Sequence, residues 1–204
     1  MSEDHHDTPG PDLPGSVPQD RPGRVIRDWL VVIVVALVAA MVVRVYVLQQ
    51  FYISGPSMET TMYTNDRVLV NKLSYRLHDV HRGDVVVFDR VTTNGSQVSH
   101  DDLIKRVIGL AGETVEVRDC VVYVNGTALS EPYLPERDTA QTDLNSRCRV
   151  VSMRKITVPP KHVFVMGDNR PESFDSRSFG SVPTSLIVGR AFAVVWPVNR
   201  AKSL

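Results

Sequence analysis

Cysteine is scarce in this chain: two in 204 residues, Cys120 and Cys148. That excludes a small domain stapled by many disulfides. With no clustered histidines, it also leaves no obvious zinc site. The six histidines are scattered, and none sits in an HExxH or other metal-ligand pair. Neither charge dominates, since 23 Lys and Arg balance 23 Asp and Glu. The basic excess of a nucleic-acid binder is therefore missing. There is no internal repeat, and beyond one apolar run no helical periodicity of useful length. That single run excludes a polytopic membrane protein. A 43% hydrophobic content with mean hydropathy −0.09 excludes a mainly disordered chain.

What is present falls into three unlike blocks. Residues 1–28 open with Pro9, Pro11, Pro14, Pro18 and Pro22 among Gly, Asp and Ser, and read as a disordered tail. Residues 29–48, WLVVIVVALVAAMVVRVYVL, contain one charge, Arg44. As a helix, about 20 residues span roughly 30 Å, the thickness of a bilayer core. Arg21, Arg24 and Arg27 precede the run, so the positive-inside rule puts the tail in the cytoplasm and the rest outside. A cleaved signal peptide is the competing reading. Ala36, Ala39 and Ala40 lie within the apolar run instead of after it, which favours an uncleaved signal anchor.

Residues 49–204 read as mainly β. Segments 82–88, 112–117, 121–126, 161–167 and 188–196 are short Val- and Phe-rich runs bounded by turn residues. Asn94-Gly95 and Asn125-Gly126 are hairpin dipeptides. Residues 127–155 are polar and read as a subdomain or a long connection. Cys120 and Cys148 both fall outside the membrane, where a disulfide is permitted. Closing a loop of roughly 28 residues would contribute about 3.5 kcal/mol. Two free thiols are the alternative, and spacing does not choose.

Three segments carry chemistry. In FYISGPSMETTM (51–62), Gly55-Pro56 fixes the backbone ahead of Ser57 and so aims its hydroxyl and N–H. In DDLIKRVIG (101–109), strand periodicity puts Leu103, Lys105 and Val107 on one face and Arg106 on the other. An ordinary lysine is neutral at pH 7 only at a cost of about 4.6 kcal/mol. Apolar burial lowers that cost and allows a lysine to act as base toward a serine. In VMGDNRPESFDSR (165–177), Asp175 with Arg177 could lock a loop through charge-assisted bonds, and Ser173 could bond a lysine. Each segment taken alone is also an ordinary loop or strand. Two other matches are weaker. Arg82-Gly83-Asp84 is a turn into a strand, and the SxxK at Ser152–Lys155 lacks the partner motifs of penicillin-interacting enzymes.

Together these segments resemble the bacterial type I signal peptidases, a family of Ser/Lys-dyad serine proteases. SGPSMETTM is similar to the family's S-M-x-P-T box. NDRVLVNKL (65–73) followed by RGDVVVF is similar to the next box and strand. DLIKRVIGLAGE (102–113) is similar to the K-R-x-x-G-x-P-G box, and GDNRPESFDSR (167–177) completes the last. The resemblance covers the anchor and nearly all of residues 49–197. It implies an antiparallel β protease domain of the signal peptidase/LexA-like type behind a single transmembrane helix. It implies a membrane-bound endopeptidase that removes signal peptides from secretory preproteins, works on the outer face, and uses no metal, cofactor or nucleic acid.

Carried residue by residue, the resemblance makes Ser57 the nucleophile, Lys105 the general base and Ser173 the residue that orients the lysine. Asp175 and Arg177 match the supporting ion pair. Gly167, Asp168, Asn169 and Arg170 match the loop beside it. Ile53, Met58 and Ile104 are candidate walls of the pockets for small residues at −1 and −3. Three departures stand out. Thr60 and Ala111 replace box prolines, and Gly55 stands where many members carry an oxyanion serine, leaving the Ser57 and Gly55 N–H groups as candidate donors. A narrow processing protease for one precursor and an inactive tethered binding relative are the alternatives.

Overall fold

The computed structural model describes residues 22–42, 47–94, 97–135 and 148–204. Two compact units are present, Met1–Met41 and Val42–Leu204. In the first, Pro22–Val42 forms helix α1, and every described side chain from Ile26 to Met41 is exposed. Among the described residues no helix is long and apolar enough to cross a membrane. Residues 43–46 of the expected span and the whole of 1–21 lie outside the described residues. Leu48, the last residue of that span, belongs to a strand instead.

The second unit is built from antiparallel strands. They run β1 (Leu48–Tyr52), β2 (Arg67–Asn71), β3 (Val85–Asn94), β4 (Gln97–Gly109), β5 (Thr114–Arg118) and β6 (Val121–Val124). Then follow β7 (Thr127–Ala128), β8 (Met153–Thr157), β9 (His162–Met166), β10 (Val182–Pro183), β11 (Ile187–Trp196) and β12 (Lys202–Ser203). The larger sheet has the order β1-β2-β11-β3-β4-β9-β10, with β12 on β11. The smaller has the order β7-β6-β5-β8. One-turn helices α2 (Ser74–Leu77) and α3 (Ser176–Phe179) fill connections.

The first four residues of β3, Val85 to Phe88, are continuously apolar, and their packing explains why. Val85 and Val87 enter a core with Ile53, Met58, Met62, Val68 and Val70. Val86 and Phe88 enter another with Val107, Val163 and Val165 on the opposite side. A strand covered on both faces needs apolar residues at every position, not at alternate ones. The smaller sheet keeps strict alternation. Val115, Val117, Val122 and Val124 share a core with Ile108, Phe164 and Met166.

The Asn125-Gly126 turn has φ of 52° and 83°, the double left-handed geometry of a tight hairpin, and it joins β6 to β7. The other expected hairpin dipeptide, Asn94-Gly95, lies partly outside the described residues. The polar stretch 127–155 contributes β7 and β8 to the smaller sheet, and its residues 136–147 are also outside the described set. Cys120 and Cys148 form a disulfide, Cα–Cα 5.8 Å apart, which ties the β5–β6 turn to the chain ahead of β8.

Candidate active site

Ser57 opens a single helical turn. Thr61 and Met62 both donate backbone N–H bonds to Met58 O, and Glu59 N–H donates to Pro56 O. Met58 and Met62 are fully buried and peg this turn into the core beside Val68 and Val70. Gly55 has φ +93°, a conformation that suits glycine, and it turns the chain into Pro56 and the serine. Thr60 has φ +74°. A proline, locked near −65°, cannot adopt that angle, so the departure from the family box has a backbone cause.

Lys105 sits in β4 opposite Val86 and is 3% exposed. Its ammonium donates to Ser57 Oγ at 2.7 Å and to Ile104 O at 2.8 Å. Burial lowers its pKa from the ordinary lysine value to about 8, partly opposed by the negative charges of Asp175 and Asp168. Arg106, on the opposite face of the strand, is buried as well. Its guanidinium donates to Asp168 at 2.7 and 2.9 Å, donates to Gly83 O at 2.9 Å, and lies 4.0 Å over the Tyr133 ring. Asp168 in turn accepts from the Thr61 hydroxyl at 2.5 Å.

The loop after β9 closes the site. Asp175 caps α3 and accepts from Arg177 at 2.8 Å through each oxygen and from the Gly167 N–H at 3.0 Å. Burial alone would raise this carboxyl. The Arg177 bonds and charge, with the Gly167 N–H, outweigh burial and hold it below the usual carboxylate range. Arg170 donates to Gly167 O at 2.9 Å and pairs with Glu131. Gly167 itself touches the Ser57 segment. A Cβ there would come within 2.3 Å of Ser57 O and 2.2 Å of Ser173 Oγ, so only glycine fits. Ser173 is buried against this glycine, and its hydroxyl makes no hydrogen bond to Lys105.

A cavity of about 120 Å³ opens beside the pair. Ile53 and Ile104 line it together with Phe51, Val87, Ser57 and Lys105. Met58 does not, because its side chain is consumed in pegging the turn to the core. Reading the sequence passed over Arg106, Thr61, Glu131 and Tyr133. The first two stand inside recognised boxes and were open to notice there. The other two lie in the polar stretch and carry no local signal.

Residues 26–196 match the family model described as signal peptidase, peptidase S26. The chain is 39% identical over 167 residues to the probable signal peptidase I-2 of Synechocystis sp., covering 82% of this chain and 72% of that one. It is 35% identical to the signal peptidase I of Leptolyngbya laminosa, covering 97% and 95%. With the signal peptidase I P of Bacillus subtilis subsp. natto it shares 36%, over 87% and 92%. On the family model and these relatives, the chain belongs to the signal peptidase I family, peptidase S26: it is a serine endopeptidase that removes signal peptides.

Proposed function

We propose that Ser57 is the nucleophile and Lys105 the general base of this endopeptidase, and that no third residue relays the proton. The 2.7 Å contact between Lys105 Nζ and Ser57 Oγ carries the reading. A lysine with its pKa at about 8 is neutral in about a tenth of molecules at pH 7, against about one in three thousand for an ordinary lysine. The neutral amine takes the Ser57 proton as Oγ attacks the scissile carbonyl. The resulting oxyanion is held by the Ser57 N–H. Lys105 then returns the proton to the leaving amine, and the acyl-enzyme is hydrolysed by water with Lys105 again as base. Asp175 and Arg177 hold the loop that packs on the pair. Gly55 shapes the approach to the serine, and Ser173 fills the space behind Gly167.

Substrate chemistry follows from the cavity. Among the described residues, the part of β4 ahead of Arg106 is unpaired on the side away from β3, because β9 pairs with Arg106, Val107 and Gly109. An extended chain can add to that edge by backbone bonds. About 120 Å³ lined by Phe51, Ile53 and Ile104 suits small apolar side chains such as alanine at −1 and −3 of a secretory preprotein. The apolar run 29–48, whose described side chains from Trp29 to Met41 are exposed, is read as the bilayer anchor with its N-terminus cytoplasmic.

Incubation of the full chain in detergent with a preprotein tests the assignment. Ser57→Ala and Lys105→Ala are each expected to abolish cleavage while leaving the fold intact. Cleavage by either variant at the wild-type rate would refute it.

A further inference from the structure

The Ser57 N–H must point at one place in space to stabilise an oxyanion. The hydrogen bond to Lys105 orients the Ser57 side chain but not the backbone. The backbone is oriented from the other side of the loop, by one residue. Asn169 donates its own N–H to Ser57 O at 3.1 Å, and its side-chain Nδ2 donates to Pro56 O at 3.0 Å. Pro56 O is an acceptor only, so the amide orientation of Asn169 follows from its partner.

A trans peptide unit is rigid and planar, with its C=O and N–H directed oppositely. The Pro56–Ser57 unit is not among the cis bonds of the chain. Pinning Pro56 O toward Asn169 therefore turns the Ser57 N–H away from Asn169. Pinning Ser57 O to the Asn169 N–H fixes the next unit as well. Gly167, with no side chain to hold the two loops apart, makes this approach possible.

We propose that Asn169 is a positioning residue for cleavage: its two hydrogen bonds fix the peptide units on either side of Ser57 and aim the Ser57 N–H at the oxyanion of the tetrahedral intermediate. This rests on Ser57 being the nucleophile. Asn169 makes no hydrogen bond to Lys105; it acts through the backbone it holds. Replacing it by alanine removes the Nδ2 bond and keeps the backbone one. Pro56 O then keeps the turn bond from Glu59 N–H at 2.9 Å but loses its tie to the loop after β9.

The test measures Asn169→Ala and Asn169→Asp in the full chain in detergent against a signal-sequence peptide. Loss of one oxyanion donor costs about a hundredfold to a thousandfold in kcat, so misaiming one is expected to cost about tenfold to a hundredfold with KM unchanged. Asn169→Asp, which sets a carboxylate against the Pro56 carbonyl, is expected to lose at least as much. Two ligands separate positioning from general damage. A peptide aldehyde, which forms a tetrahedral adduct with the serine, is expected to bind more weakly by the same factor as kcat. The same peptide with a reduced scissile amide has no oxyanion and is expected to keep its affinity. Unchanged kcat and aldehyde affinity in Asn169→Ala would overturn the proposal, and so would equal weakening of both ligands. Ser57→Ala is run alongside: if it still cleaves, the nucleophile assignment fails first and the proposal with it.

Discussion

Lys105 is placed where the fold would be more stable without it, and Lys105→Met measures by how much. Methionine has a similar length and no charge. Burial holds the lysine pKa at about 8 instead of 10.5. At 1.36 kcal/mol per tenfold change in proton affinity, that gap is about 3 kcal/mol of folding free energy. Its sign is fixed by linkage. The folded value lies below the unfolded one, so between pH 8 and 10.5 the unfolded chain binds more protons and stability rises with pH. At pH 7 the whole cost is present. The variant removes it but also leaves Ile104 O without its bond from Nζ, which costs about 1–2 kcal/mol. Lys105→Met is therefore expected to be inactive and more stable than wild type at pH 7 by about 1–2 kcal/mol. The advantage should vanish and reverse as pH approaches 10.5. Urea unfolding of both proteins in nonionic detergent, followed by fluorescence at pH 7, 8, 9 and 10, reads this directly. Parallel stability-against-pH curves would refute the reasoning, because they would mean that Lys105 titrates alike in folded and unfolded chains.

The same titration governs rate. Because the base must be neutral, kcat/KM is expected to fall about tenfold per pH unit below 8; a profile flat from pH 6 to 9 would exclude Lys105 as the base. Arg106→Met strands the buried Asp168 carboxylate and is expected to cost about 3–5 kcal/mol in a denaturation experiment, with Arg106→Met/Asp168→Leu recovering most of it. Equal losses in the single and double variants would show that the pair does not act as a unit. The two missing box prolines are expected to behave oppositely in thermal unfolding. Thr60→Pro conflicts with φ +74° and should destabilise. Ala111→Pro falls at the second position of a turn closed by Glu113 N–H to Leu110 O, with Gly112 at φ +84°, and should stabilise by about 0.4–1 kcal/mol. The same sign for both would contradict the backbone account.

Local chemistry is what made so much legible. The Val-rich runs show as strands because β-branched and aromatic residues suit a pleated sheet and turn residues bound each run, and the Asn125-Gly126 dipeptide shows as a hairpin because few other pairs tolerate two left-handed residues. Ser57 and Lys105 were readable because each sits in a short box whose neighbours constrain it: Gly55-Pro56 before the serine, apolar positions around the lysine. Strand periodicity gave Arg106 only its face, opposite Lys105. What lies on that face is tertiary: the guanidinium is buried and matched by an acid 62 positions away. As a pocket wall, Met58 rests only on its place in the serine box. Its side chain turns inward instead, for a reason that appears only once Val68 and Val70 are packed beneath it.

By itself, then, the sequence determined the antiparallel β character, the apolar segment, the serine and the lysine, since each depends on residues within a few positions of one another. The tertiary structure decided the 2.7 Å contact that makes those two residues a pair, the burial that makes the lysine ammonium easier to deprotonate, the joining of Cys120 to Cys148, and the bonds from Asn169 that orient the serine backbone. All of these are distances between segments remote in the chain. Such distances are set by how strands stack and which faces they bury, and no local pattern of residues encodes them.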